Sequence, residues 1–293
     1  MMTDPTAALL PDGRLHLQHG PIDVIVSADG SETAVETAFT AAAGRFATVL
    51  TEIVEELNEL RRPASTDTEM EGLVASRMAA AVRVHAADTF ITPMAAVAGA
   101  VADEILDTMT ASAPLTRAFV NNGGDIAVHL SGGQMAHAKI SAHDNTHLGT
   151  VKLKAGDGIG GIATSGRSGR SLSLGIADSV TVLAASAAEA DAAATLLANA
   201  VDLPGHPAIE RAPAESLDPD SDLGSRLVTT GCANLTEAEK TLAIGRGARL
   251  ARKMLADGTI RGVAFYLQGQ ARSLGWGDSI SRDTAPDDHD QED

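Results

Sequence analysis

NNGGDIAV, residues Asn121 to Val128, is a chain reversal written in sequence. Short strand-like runs flank it, 118–122 before and 125–130 after, and the two glycines between them supply the positive φ angles that a tight hairpin needs. Strands joined by so short a turn run antiparallel. The reading of this stretch therefore sets the sheet, and the rest of the chain extends it in both directions.

Downstream, 136–142, 149–154 and 179–184 read as further strands. Glycines at 132 and 133 and the polar run HDNTH (143–147) act as turns. A late strand is expected within TIRGVAFYLQ, Thr259 to Gln268. Upstream, 14–19 and 22–28 form a strand pair around Gly20-Pro21.

Helical patterns lie in blocks between these strands. One runs from about 32 to 60 and stops at Arg61-Arg62-Pro63; a second covers 68–86. A third starts where Thr92 can cap and Pro93 suits the first turn. Ser186 with Glu189, and Thr236 with Glu239, have the spacing of capping boxes opening helices to about 201 and to Gly258. Residues 203–222, with prolines and acids, read as an irregular connection.

Helices and strands in blocks, rather than in strict alternation, predict an α+β fold with a largely antiparallel sheet flanked by helices. The expected organisation is a flexible N-terminus (1–12), a single domain (13–280) and a disordered acidic tail (281–293).

The 293 residues carry 39 acids against 22 lysines and arginines, a net charge of −17. Such a surface repels phosphate backbones, and an aromatic content of 2% leaves little for base stacking, so nucleic acid is not the expected partner. A local cluster of donors can still hold a small anion. With Cys232 as the single cysteine, an intramolecular disulfide and a thiolate zinc site are both excluded. The longest uncharged run, Thr89 to Ala102, is shorter than the roughly 20 residues of a membrane span. The N-terminal stretch lacks a basic and apolar export signal, and a cytoplasmic protein is expected.

Two familiar patterns fail on physical grounds. Gly156 to Gly161 matches G-x-G-x-x-G, yet a strand-like IATSG follows where a dinucleotide fingerprint needs a helix. His143 and His147 are four apart but lie in turn chemistry, where a solvated hairpin is expected rather than a metal site. His129 and His137 fall on strands and read as half-buried side chains.

Four features carry chemistry together. In NNGGDIAV, Gly123 and Gly124 let a ligand approach the backbone next to Asn122, and Asp125 can accept hydrogen bonds. In ATSGRSG (163–169), Thr164, Ser165, Gly166 and Arg167 offer hydroxyls, N–H groups and a guanidinium to an oxyanion. Asp191 and Thr195, four apart on a capped helix, share a face and can give two oxygens to one Mg²⁺. In AGAVADEI, Gly99 permits close backbone approach and Asp103 follows one turn on.

The order AG-x-x-x-D, N-GGDI, A-TSG, then AD-x-x-x-T resembles the ApbE-like superfamily, relatives of the FAD:protein FMN transferases, over about residues 90–200. The layout around RLHLQHGPIDVIVSADG is most similar to its shorter, uncharacterised branch. The resemblance implies Mg²⁺ on Asp191, Thr195 and a backbone carbonyl near 95–99. It implies a flavin nucleotide, FAD as substrate, at Asn122, Gly123, Gly124 and Asp125 and at Thr164, Ser165, Gly166 and Arg167. It also implies transfer of FMN to a threonine or serine of an acceptor flavoprotein, or hydrolysis of the FAD pyrophosphate. The family lysine before the helix glycine is Ala98 here, and the family H-x-x-D-P segment is absent. Asp178, the acid close to that altered segment, is the candidate base. Two other readings stand beside this one: an enzyme of the same fold acting on another small molecule, and a non-catalytic ligand-binding or assembly protein. Self-association is left open.

Overall fold

A computed structural model describes residues 4–141, 147–169, 171–275 and 280–281. The chain opens with three antiparallel strands, β1 (Thr6–Leu9), β2 (Leu15–His19) and β3 (Ile22–Asp29). Helix α1 (Glu32–Glu55) follows, capped by Ser31 accepting from the Ala34 N–H. A one-turn α2 (Leu57–Leu60) and α3 (Leu73–Arg83) come next. After a 3₁₀ turn over Pro93–Ala96, α4 (Val97–Ser112) leads into the hairpin β4 (Arg117–Asn122) and β5 (Asp125–Leu130). A second hairpin, β6 (Met135–Ser141) and β7 (His147–Lys154), precedes β8 (Gly161–Ser165) and β9 (Ser179–Ala184). Then come α5 (Ala187–Ala200), β10 (Ile209–Pro213), one-turn α6 (Ala214–Leu217), β11 (Leu227–Cys232), α7 (Glu237–Ala256), β12 (Gly262–Leu267), β13 (Gln270–Leu274) and β14 (Ile280–Ser281).

The main sheet has nine strands in the order β1-β2-β3-β4-β5-β8-β9-β12-β13, every pairing antiparallel. Helices α1, α4, α5 and α7 pack on one face. Their interface is built from small residues. On α5 the buried side chains are mostly alanine, and Phe46 and Phe265 are the only phenylalanines among the largest fully buried side chains. Gly99 allows α4 to approach α5 closely: a Cβ there would lie 2.2 Å from the Ala187 carbonyl oxygen. The shortage of aromatics is thus answered by bringing helix backbones together.

The other face of the sheet carries β6, β7 and β14. These cover a smaller core of Val128, Ile140, Val151, Leu153, Ile162, Leu183 and Ala264. No helix among the described residues is long and apolar enough to cross a membrane.

Several boundaries differ from the sequence expectation. Residues 6–9, expected in a flexible leader, form edge strand β1, held by its register with β2 although all four side chains are exposed. The long first helix breaks at Glu56, whose carboxylate turns away to accept the N–H groups of Glu71 (2.9 Å) and Gly72 (2.7 Å) and so starts α3 later than expected. Thr92 makes no side-chain cap; its hydroxyl donates to Asp222 instead. Residues 203–222 are not wholly irregular, because β10 pairs with β11 through a register shift at Glu210/Arg211. His143 and most of the HDNTH turn lie outside the described residues, as do 282–293 of the expected tail.

Candidate functional site at the glycine hairpin

The β4–β5 turn is as tight as its sequence demands. Gly123 and Gly124 have φ of +68° and +114°, values that side-chain-bearing residues rarely adopt, and the Asn121 side-chain oxygen accepts the Gly124 N–H at 2.8 Å. Because side chains alternate along a strand, Asn122 and Asp125, which pair across the hairpin, both face the helices. Asn122 is buried and donates through its side-chain amide to the Ala98 carbonyl at 3.1 Å. Its neighbour Gly99 donates its N–H to Asp191 Oδ2 at 3.1 Å.

Asp191 on α5 is therefore anchored to the first turn of α4 through one oxygen. The start of α5 is held by Asp103, whose two carboxylate oxygens accept the Ala187 and Ala188 N–H groups, each at 2.9 Å. Thr195 lies one helical turn beyond Asp191, with Cβ atoms about 5–6 Å apart at that spacing. Thr37, Thr40 and Thr108 bond the carbonyl four residues back. Thr195 does not, and its hydroxyl has no partner among the described residues.

The electrostatics of the cluster are lopsided. Burial, then the charge of Asp125, push the Asp191 carboxyl well above its ordinary value; the Gly99 and Ala98 N–H groups pull it back, and Asp103 adds to the rise. Burial also raises Asp103 to about 6, against its two backbone donors. Negative charge is in excess at this point, which suits a cation. The candidate oxygens are the Asp191 carboxylate and the Thr195 hydroxyl, both hard donors; the Ala98 carbonyl lies in the same trans peptide as the Gly99 N–H that reaches Asp191, so it points away from that carboxylate, toward Asn122. Among the described residues no group of three or more His, Cys, Asp or Glu could hold a metal, so a carboxylate cage is not what is offered. So small a set of hard protein oxygens fits Mg²⁺, which completes its octahedron with phosphate and water.

The ATSG strand end divides. Ile162 pairs with Ile126, and both join the smaller core, so Thr164 faces outward and Ser165 faces the helices. Thr164 bonds Thr181, hydroxyl to hydroxyl, at 2.8 Å on that outer face, while its N–H donates to Asp125 Oδ1 at 3.2 Å. Gly166, with φ of +148°, passes so close to Asp178 that a Cβ would sit 2.5 Å from its carbonyl oxygen. Beyond it, Arg167 and Asp178 pair at 2.5 Å, and the second Asp178 oxygen accepts the Gln268 N–H at 2.5 Å.

The structure thus brings together Asn122, Gly123, Gly124, Asp125, the Thr164 backbone and Asp191, with Thr195 one turn along. Arg167 and buried Asp178 form a separate brace, with both Asp178 oxygens engaged. Two positioning roles went unread in the sequence. Asp103 contributed only to a spacing, and Asn122 as the clamp on Ala98 gave no signal beyond its place before the glycines. A recess of about 270 Å³ opens on the outer face, lined by Ile25, Phe119, Asn121, Ile126, Val128 and Leu153 among others.

A nine-stranded antiparallel sheet with helices on one face, and an acid–hydroxyl helix pair against a glycine hairpin, define the ApbE-like α+β class. The chain belongs to that superfamily: the family model described as "AbpE bacteria" matches residues 7–273. Its curated relatives include a UPF0280 protein of Methanothermobacter thermautotrophicus, 35% identical over 162 residues, which are 53% of this chain and 62% of that one. A UPF0280 protein of Methanothrix thermoacetophila is 38% identical over 118 residues, 40% of this chain and 49% of the relative. The match to such relatives spans about half to three fifths of their length. The solved ApbE protein of Thermotoga maritima aligns over 93% of this chain and 96% of its own, with a TM-score of 0.51 at 12% identity, a likeness of fold.

Proposed function

We propose that this chain is a Mg²⁺-dependent flavin-nucleotide enzyme. It cleaves FAD at the pyrophosphate and passes FMN to a threonine or serine hydroxyl of a partner flavoprotein, or to water. The observation that carries this reading is Asp191, with one oxygen fixed by Gly99, beside the Thr195 hydroxyl, which has no partner among the described residues, on the same face of α5. Family membership gives that pair its context.

Asp191 and Thr195 would hold Mg²⁺, which would neutralise charge on the pyrophosphate. Asn122 fixes the Ala98 carbonyl, and Asp103 fixes the end of α5 that presents Asp191. Gly123 and Gly124 leave the hairpin tip without side chains, so a nucleotide can pass over it. The apolar recess beside Asn121 then suits the flavin ring, with Phe119 and Ile126 as walls. The acceptor oxygen bonds to the FMN-side phosphorus, the bond from that phosphorus to the bridging oxygen breaks, AMP leaves, and the acceptor proton passes to solvent. Phosphoryl transfer rests mainly on positioning and charge stabilisation, so a histidine base is dispensable in principle. Asp178, held by Arg167 and Gln268, acts in this reading by bracing the loop after Gly166.

The test is AMP release from FAD with Mg²⁺, with flavin fluorescence followed on co-expressed proteins, in the wild type and in Asp191→Ala. The proposal expects Mg²⁺-dependent AMP release that is lost in the variant. Absence of saturable FAD binding at tens of micromolar removes the flavin reading and leaves the same fold acting on another small molecule or as a binding protein. AMP release unchanged in Asp191→Ala removes the metal assignment.

A further inference from the structure

The opposite end of β5 holds a second recess of different character. It has a volume of about 330 Å³ and is walled by Val128, His129 and Leu130, the run Lys154–Gly160, Ala185 and Arg261. From Asp125 to Leu130 a strand rises by roughly 3.4 Å per residue, so this recess stands well away from the glycine hairpin. In a chain of net charge −17, two cationic residues, Lys154 and Arg261, stand in the wall of this recess. The one acid in the wall is Asp157, and its two oxygens already accept the Lys154 and Ile159 N–H groups, at 2.8 and 3.0 Å.

The backbone adds to this. Gly156 and Gly158 have φ of +86° and +76°, with Asp157 of ordinary hand between them. Alternation of that kind turns successive N–H groups into a concavity that receives anions. The N–H groups of Asp157, Ile159 and Gly160 are engaged within the fold, whereas those of Gly156 and Gly158 have no partner among the described residues. Arg261 is laid against the loop: a Cβ on Gly158 would be 3.4 Å from its Nε. One guanidinium nitrogen donates to the Gly258 carbonyl at 2.5 Å, which fixes the fork and leaves its other N–H groups for a ligand.

We infer that this recess is a binding site for a phosphate-class oxyanion, held by Arg261, Lys154 and the Gly156–Gly158 loop. It is independent of the FAD reading, since Arg261, Lys154 and the Gly156–Gly158 loop take no part in the glycine-hairpin site and only Val128 lines both recesses. The G-x-G-x-x-G run thereby gains a use without the helix its dinucleotide reading required.

The test titrates the full chain with inorganic phosphate and, separately, with AMP by calorimetry. Wild type is expected to show saturable binding that survives in Asp191→Ala and weakens about tenfold in Arg261→Gln and severalfold in exposed Lys154→Gln. Lys154 makes no side-chain hydrogen bond to the described residues, so its variant separates ligand loss from fold loss should Arg261→Gln fail to fold. Tighter binding of AMP than of phosphate marks a nucleotide source; equal binding marks free phosphate. No saturable binding of either probe, or equal binding by wild type and Lys154→Gln, overturns the inference.

Discussion

A glycine turn lies beside each end of strand β5, its own at Gly123-Gly124 and the β7–β8 connection at Gly156–Gly160, and the two gather opposite charge. At Gly123-Gly124 the neighbours are Asp125, Asp191 and Asp103, and acid crowds acid strongly enough to raise Asp191 well above its ordinary value. At Gly156–Gly160 the neighbours are Lys154 and Arg261, and the single acid is used up in bonds to the loop's own backbone. Glycine does the same service in both places, letting the chain turn with φ above zero and leaving the surface bare. The side chains brought in by α5 at the first turn, and by Lys154 of β7 and Arg261 just before β12 at the second, decide what each bare surface attracts. Sequence proximity did not set this contrast; the stacking of α4, α5 and the sheet did.

The sharpest way to break the comparison is to remove charge at the acidic end. Asp191→Asn keeps the shape and takes away the anion. FAD cleavage is expected to fall by about 10²–10³-fold, the usual scale for losing one electrostatic contact to a reacting group. The same variant is expected to keep or raise its melting temperature in metal-free buffer, because a half-buried carboxylate beside Asp125 no longer has to be accommodated. Loss of activity together with a lower melting temperature would instead mark Asp191 as a structural residue.

Next in size is the contact that holds the acidic end in place. Gly99→Ala sets a methyl 2.2 Å from the Ala187 carbonyl oxygen, backbone against backbone, where no side-chain rotation relieves it. A loss of about 3 kcal/mol or more in denaturant unfolding is expected, with FAD cleavage lost alongside, since the Gly99 N–H also orients Asp191. Wild-type stability in this variant would show that α4 and α5 do not pack as described.

These two residues also show how far the sequence could be read. Asp191 and Thr195 were legible because a spacing of four on a capped helix fixes a shared face. The hairpin was legible because paired glycines between strand-like runs leave few alternatives. That Thr195 keeps its hydroxyl away from its own helix backbone was not legible, since that choice belongs to packing. Strand β10 was hidden by Pro207 and Pro213 and by a bulge that erases the two-residue period. The partner of Thr92 lies in a distant loop, where no local pattern could point. The split between Thr164 and Ser165 followed from strand alternation, but only once the register with β5 and β9 was known.

A third, smaller effect concerns pH. Asp103 is buried and raised to about 6 from 3.8, with burial as the main cause and the Ala188 and Ala187 N–H groups opposing it. An acid raised in the folded state contributes stability that is complete below its unfolded pKa and is lost as pH rises through the folded one. This group should therefore remove roughly 2–3 kcal/mol between about pH 4 and pH 6 to 7. Asp103→Asn should flatten that part of the profile while losing one N–H contact, about 1 kcal/mol at all pH values. An identical pH profile for the variant would show that Asp103 is ionised throughout.

The smallest expected effect lies away from both glycine ends, and that is its use. Thr236 and Glu239 form the capping box of α7: the Thr236 hydroxyl accepts the Glu239 N–H, and the Glu239 carboxylate accepts the Thr236 N–H at 2.7 Å. Thr236→Ala should cost about 1 kcal/mol and leave FAD cleavage per folded molecule unchanged. The Thr236 N–H and hydroxyl, with His206, hold the Glu239 carboxyl down at about 2. A lowered acid contributes stability above its unfolded value, here 4.5, and loses it as pH falls through about 2. The gap between wild type and Thr236→Ala should accordingly narrow below pH 4.5. If this remote variant lowered FAD cleavage as Asp191→Asn does, general loosening of the fold would explain both, and the acidic end of β5 would lose its claim to the chemistry.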